Sequence, residues 1–178
     1  MIMQKGVVRK RSSKQLSEYG RQLHEKQELK GQYNMRERQF QNYVKAVLEA
    51  SSKGHGSSPE LLVQKLERRL DNVVFRMGLA QTRAQARQMV SHGHCMVNEH
   101  PVDIPSYQVK KDDVIVVRPS SKESPLFKNA QLGLKNYEAP SWIALDKEKL
   151  EAKIMGVPNF QETAPTVQFA LIFEFYSR

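Results

Sequence analysis

A single cysteine stands in 178 residues, so no internal disulfide can form and a reducing compartment is expected. No apolar run approaches the roughly 20 residues of a membrane-spanning helix. The longest, such as VIVV at 114–117, suit a strand. The opening stretch MIMQKGVVRKRSSK has no apolar core of the signal-peptide kind. A cytoplasmic protein with no membrane partner is the expectation. GxSxG, Walker, HExxH and dinucleotide signatures are missing as well, so the chain reads as no enzyme and as needing no cofactor. Asp112 and Asp113 are adjacent carboxylates in a lysine-containing turn, and solvated turn residues are the simpler reading.

Acid is scarce too. There are 19 Asp and Glu against 28 Lys and Arg, a net charge of +9. Residues 1–45 hold eleven Lys/Arg and four Asp/Glu, residues 46–119 ten and eight, and residues 120–178 seven and seven. The excess is therefore N-terminal. A polyanionic partner, nucleic acid above all, fits a basic end of this kind.

Residues 1–15 carry Lys5, Arg9, Lys10, Arg11 and Lys14 with no acid, and read as a basic arm that could fold onto RNA. Ser17 offers an N-cap for a polar helix over about 17–30, whose thin apolar stripe leans on a partner. Asn34 is expected to cap a second helix, with Glu37 closing the box. Phe40, Tyr43, Val44, Val47 and Leu48 give that helix one apolar face. After the loop SSKGHGSSPE, Ser58 and Pro59 open one helix that carries Leu62, Leu66, Leu70, Val73, Val74 and Met77 to a stop at Gly78. Thr82 and Gln85 begin a short helix with Ala86, Met89 and Val90 inward and Arg83, Arg87 and Ser91 as a polar stripe. Gly93 ends it.

The pattern then switches to period two. CMVN and PVDI read as strands around a turn at Asn98–His100, KKDD as a charged turn, and VIVV as a third strand. Residues 118–130 are a polar connection, and 141–155 another amphipathic segment with Trp142, Leu145, Leu150 and Ile154. In VQFALIFEFYSR the alternation argues strand, while the apolar run also permits a buried helix. The fold class is α+β. A helical N-terminal part precedes a small module of two helices on a short antiparallel sheet, and the C-terminal segment packs back. The expected layout is a basic arm at 1–15, a helical domain at 16–67, the module at 68–130 and a core-completing segment at 131–178.

Three of the five histidines and the cysteine crowd into SHGHCMVNEH at 91–100, which raises the question of a metal. No second cysteine pair completes a zinc pattern. His94 and Cys95 are neighbours on a strand and point to opposite faces, and His100 falls in the turn. No metal is expected, and Cys95 reads as a small core residue. His92, at a helix C-terminus, can bond the last carbonyls. For His92 and His94 both RNA contact and a satisfied surface histidine stay open.

The stretch LERRLDNVVFRMGLAQTRAQARQMVSHGHCMVNEHPVDIPSYQV at 66–109 resembles the RNA-binding module named after bacterial small-subunit ribosomal protein S4. LSEYGRQLHEKQ, RERQFQNY, APSWIALD and the terminal EFYSR resemble that ribosomal family in order and spacing, from about residue 9 onward. The resemblance implies a structural protein that binds small-subunit ribosomal RNA directly, early in assembly, and influences decoding accuracy. It implies neighbouring small-subunit proteins around the channel through which the messenger enters. The rival is an RNA-modifying enzyme or RNA-rescue factor using the same module, which would need a catalytic domain that these short flanks lack. Against the family pattern, the N-terminal arm is absent or shortened and without cysteines, and ELKGQYN stands where a basic pair is common. Asn98-Glu99 replaces Asn-Gly, so a looser turn is expected. Ala152 stands where a glycine is common.

Candidate RNA contacts are Arg9, Lys10, Arg11 and Lys14 in the arm, Arg21 and Lys26 on the first helix, and Arg36 and Arg38 on the second. In the module they are Arg69, Arg76, Arg83, Arg87, Ser91, His92 and His94. Guanidinium forks suit phosphate oxygens and stack on bases. The competing use of these arginines is pairing with Glu67, Asp71 or Asp103 on the helix surface. Tyr19, Tyr43, Tyr107 and Trp142 could stack on bases, but core packing is the simpler assignment.

Overall fold

The computed structural model describes residues 16–163 and 165–177. Arg9, Lys10, Arg11 and Lys14 lie outside the described residues. Helix α1 (Glu18–Gln32) starts where Ser17 Oγ accepts the Gly20 amide at 3.1 Å. Its thin stripe buries Leu29, and the rest of its support comes from another helix, described below. Helix α2 (Glu37–Ser52) buries Phe40, Val44 and Val47. Full burial of such side chains stabilises by about 1.5–3 kcal/mol each.

Asn34 does not cap α2. It takes a left-handed conformation (φ 49°) just past the end of α1, its amide donating to the Gly31 carbonyl, and Arg36 holds the cap position of α2. Asparagine tolerates that region better than most residues, so it suits a helix exit.

The expected single helix from Ser58 to Gly78 is two. Helix α3 (Ser58–Glu67) follows a cap at Ser57, one residue earlier than the sequence suggested, and α4 (Leu70–Arg76) follows a break. Arg69 is extended there (ψ 137°) and bridges Gln108. The carbonyls of Tyr107 and Pro105 accept the Leu70 and Asp71 amides at 2.9 and 3.1 Å. A loop from some 35 residues downstream thus satisfies the first-turn donors of α4. Apolar periodicity continues through the break, which is why the pattern concealed it.

Helix α5 (Arg83–Ser91) begins where Thr82 Oγ1 accepts the Gln85 amide at 3.1 Å. Gly78 and Gly93 take φ +75° and +72° at the two helix exits, as expected of stop glycines. Strands β1 (Cys95–Val97) and β2 (His100–Pro101) form a hairpin with Val97 opposite His100. Asn98 and Glu99 both have positive φ (49° and 68°), so the turn is a tight two-residue one rather than loose. The Asn98 side chain secures it, donating to Asp113 Oδ1 at 2.8 Å and accepting from the Val114 amide at 2.9 Å.

Strand β3 (Val114–Val117) pairs with β1. Short helices α6 (Pro119–Lys122) and α7 (Pro125–Gly133) and a 3-10 turn at Leu134–Asn136 follow. The amphipathic segment 141–155 is a hairpin, β4 (Ile143–Asp146) and β5 (Glu151–Ile154), which enlarges the sheet to five antiparallel strands in the order β2-β1-β3-β5-β4. Ala152 sits fully buried between Ile115 and Leu145.

The chain then crosses back through α8 (Phe160–Thr163) to α9 (Phe169–Ser177). The terminal run is therefore helix, not strand. Its partners are the helices α1 and α2: Phe169 and Ile172 join Leu29, Phe40, Val44 and Val47 in one core. The second core joins α4 and α5 to the sheet, α7 and the 3-10 turn. The arrangement is α+β, with a helical N-terminal part as expected.

Candidate nucleic-acid interface

The two cores meet around one buried carboxylate. Glu67, at the end of α3, is 0% exposed. Its oxygens accept from Tyr33 Oη at 2.7 Å, Asn72 Nδ2 at 2.6 Å, and Arg76 Nε and Nη2 at 2.9 and 2.8 Å. Arg83 completes the cluster, its Nε on Asn72 Oδ1 at 2.7 Å and Nη2 3.9 Å from Glu67. Its guanidinium lies over the rings of Tyr33 and Phe75 at 4.7 and 4.6 Å. Burial, then the Glu67 charge, holds the Tyr33 phenol well above its ordinary range, and burial lowers Arg83 from its own. Burial also works against charge on Arg76, but the Glu67 hydrogen bond and charge outweigh it and raise its pKa.

A second ion pair lies beside the first. Arg69 is 1% exposed and grips Asp71 through both fork nitrogens, Nε at 3.0 Å and Nη2 at 2.6 Å, while Nη1 donates to Tyr43 Oη at 3.1 Å. Lys26 is likewise enclosed. It is 4% exposed, 2.7 Å from Glu37 Oε1, with its ammonium 4.4 Å from the Phe175 ring centre.

The structure places the expected RNA contacts Lys26 and Arg69 in buried positions and Arg76 and Arg83 in half-buried ones. Each has an acid partner inside the protein: Glu67 and Asp71 flank the α3–α4 break, and Glu37 opens α2, while α9 covers Lys26 with the Phe175 ring. His94 is also turned inward, Nδ1 2.9 Å from Ser121 Oγ and its ring edge-on to Phe127.

What remains open forms a track across both units. Arg21 is exposed on α1, and Arg36 and Arg38 at the start of α2, none of them in an ion pair among the described residues. Arg87 on α5 donates from Nη1 to the Asn34 carbonyl at 2.9 Å, which joins the module to the α1–α2 turn beside Arg36. Ser91 and His92 continue the track at the exposed end of α5. Arg118, not foreseen from the sequence, extends it, lining a cavity with Ser91, His92 and Gly93. It is brought there by the β1–β3 pairing, its amide donating to the His94 carbonyl at 2.8 Å. No local pattern signals a contact that depends on strand pairing.

Cys95 is buried, and burial alone pushes its thiol up to about 12. Among the described residues no group of three His, Cys, Asp or Glu could hold a metal ion.

A small α+β module braced to a helical unit, with arginines free of acid partners on both among the described residues, defines the class: a basic α+β protein with the chemistry to bind a polyanion. Comparisons with known proteins supply the family. Residues 68–115 match the S4 domain, and residues 3–67 match the ribosomal protein S4/S9 N-terminal domain. Small ribosomal subunit protein uS4 of Persephonella marina is 45% identical over 98% of this chain and 83% of its own length. The uS4 of Chloroflexus aurantiacus is 45% identical over 93% of this chain and 79% of its own. That of Marinobacter nauticus is 46% identical over 92% and 77%. The chain belongs to the small ribosomal subunit protein uS4 family.

Proposed function

We propose that this chain is a structural constituent of the small ribosomal subunit and binds the subunit's RNA directly. The observation that carries this is the cationic track spanning both family-matched units, from Arg36 and Arg38 through Arg87 to Ser91 and His92. Arg21 and the arm residues Arg9, Lys10, Arg11 and Lys14 add to it on this reading. The functional layout is the arm, helical domain and module, with the C-terminal segment shared between the two cores. Contacts are mainly to phosphates and to shape, because A-form grooves hide base edges. The protein joins the RNA early in assembly, influences decoding accuracy and sits beside other small-subunit proteins around the channel through which the messenger enters. Its place is the ribosome, in the cytoplasm, and its role is binding rather than catalysis. No helix among the described residues is long and apolar enough to cross a membrane.

The test is sedimentation of lysate on a sucrose gradient with antibody detection, before and after a high-salt wash. Stoichiometric presence in the small-subunit peak that survives moderate salt is expected. Presence only in light fractions overturns the reading.

A further inference from the structure

The stretch SHGH contributes to a cavity that the cationic track alone does not explain. The cavity has a volume of about 350 Å³ and is lined by the end of α5 and by residues at or just past the ends of β2 and β3. Ser91 and His92 line it from the end of α5, and Pro101, Asp103 and Arg118 from the strand ends or just beyond them. It falls at the lower end of the roughly 300–1,000 Å³ of small-ligand clefts.

Its charges are unusual for this molecule. Elsewhere the buried and half-buried arginines are matched to carboxylates or carbonyls. Here a half-buried arginine and an exposed aspartate line one cavity and make no ion pair with each other or with any other described residue. Asp103 repels phosphate, so the cavity is not simply one more phosphate contact. A carboxylate accepts hydrogen bonds only, which calls for a donor: a ribose 2′-hydroxyl or an exocyclic amine of a base. Arg118 calls for an anion in the same ligand. The His92 and Pro101 rings offer flat faces. A single unpaired ribonucleotide carries a phosphate, a 2′-hydroxyl and a stacking face at this size.

We propose that this cavity receives one unpaired nucleotide of the bound RNA, with its phosphate on Arg118, its base against His92 and a donor of its ribose or base on Asp103. The proposal rests on the RNA-binding reading above and adds a nucleotide-specific contact to recognition otherwise governed by shape. Ser91 belongs both to the α5 polar stripe and to the cavity wall, so the nucleotide leaves the track where the track ends.

The full-length chain is titrated with transcribed small-subunit ribosomal RNA at several salt concentrations. Asp103→Asn and Arg118→Gln are compared with the native protein. A photoreactive residue at Val102, also on the cavity wall, maps the RNA neighbour. Each substitution is expected to weaken binding about tenfold, as for one good polar base contact or one stacked base. Arg118→Gln also lowers the salt slope by about 0.7–0.9, and Asp103→Asn leaves it unchanged. The crosslink is expected at one unpaired nucleotide. Native affinity in both variants, or a crosslink confined to paired RNA, overturns the cavity assignment while RNA binding by the native protein stands. Failure of the native protein to bind the transcript at all overturns the RNA-binding reading itself, and the cavity assignment with it.

Discussion

Glu67→Ala removes a fully buried carboxylate on which the two cores converge. Tyr33 comes from the helical unit, and Asn72, Arg76 and Arg83 from the module. Without Glu67, two guanidinium groups, each 21% exposed, lose their counter-charge and a buried phenol loses its acceptor. Breaking a buried ion pair by deleting one partner costs about 3–5 kcal/mol, because the partner left behind stays desolvated. That is a large part of the roughly 5–15 kcal/mol that keeps a typical domain folded. In urea, with a slope of about 2 kcal/mol/M, the midpoint should fall by about 1.5–2.5 M. The loss falls on the junction, so one cooperative transition should split into two, one for each core. The assay is urea unfolding followed by far-UV circular dichroism and by Trp142 fluorescence, since the single tryptophan reports on the module core. Adding Arg76→Met to Glu67→Met should recover at least about 2 kcal/mol relative to the sum of the single changes. A midpoint shift under about 0.5 M with coincident transitions would refute the brace.

Arg83 and Arg87 lie one helical turn apart, yet should behave differently. Arg83→Ala should lose about 2–3 kcal/mol of stability in thermal unfolding, and Arg87→Ala less than about 1 kcal/mol while weakening RNA binding measured by filter retention; equal stability losses would contradict the geometry. The Glu37 carboxyl is partly buried, which opposes ionisation, but hydrogen bonds from Lys26, Tyr176 and Lys30 bring it down from 4.5 to about 2. Its contribution is therefore complete above pH 4.5 and lost as pH falls toward 2, and screening limits it to about 1 kcal/mol or less. Aromatic NMR signals of Tyr176 should show α9 loosening across that window, and Glu37→Gln should remove the transition. Gly78→Ala places a Cβ 2.8 Å from Leu134 Cδ2 and from Tyr137 Cδ1 at φ +75°, so a loss of about 2–4 kcal/mol is expected in calorimetry.

The elements that the sequence made legible are those whose signals are local. Ser17 and Thr82 cap the helices expected of them, and Gly78 and Gly93 stop theirs, because a cap or a positive-φ exit involves only three or four neighbouring residues. The breaks and returns were not legible. Arg69 leaves the helix because carbonyls at 105 and 107 arrive to accept the α4 amides, a contact that spans some 35 residues. The terminal run alternates like a strand, yet its partners are α1 and α2, and a helix is the shape that fills the groove between them. The thin stripe of α1 gave the one hint, since it required a covering element from elsewhere in the chain.

The candidate site shows the same division more sharply. Helical spacing placed Arg83 and Arg87 on one stripe and made them equivalent. Tertiary structure separates them, because α5 crosses the junction so that Arg83 meets Phe75, Tyr33 and Asn72 while Arg87 reaches only the Asn34 carbonyl at the surface. An arginine's charge is visible in a sequence, but its burial is set by the carboxylates and rings that other segments bring to it. Glu67, Asp71 and Glu37 are those carboxylates, and each pairs with at least one cation of the expected RNA-facing set. The cations left over are the ones no acid reaches among the described residues, so mapping the acids first is the better guide to an RNA-facing surface in a basic protein. Arg118, one residue past a strand and away from any basic run, shares with Arg36 and Arg87 the lack of an acid partner among the described residues, while the more conspicuous Arg69 is paired with Asp71.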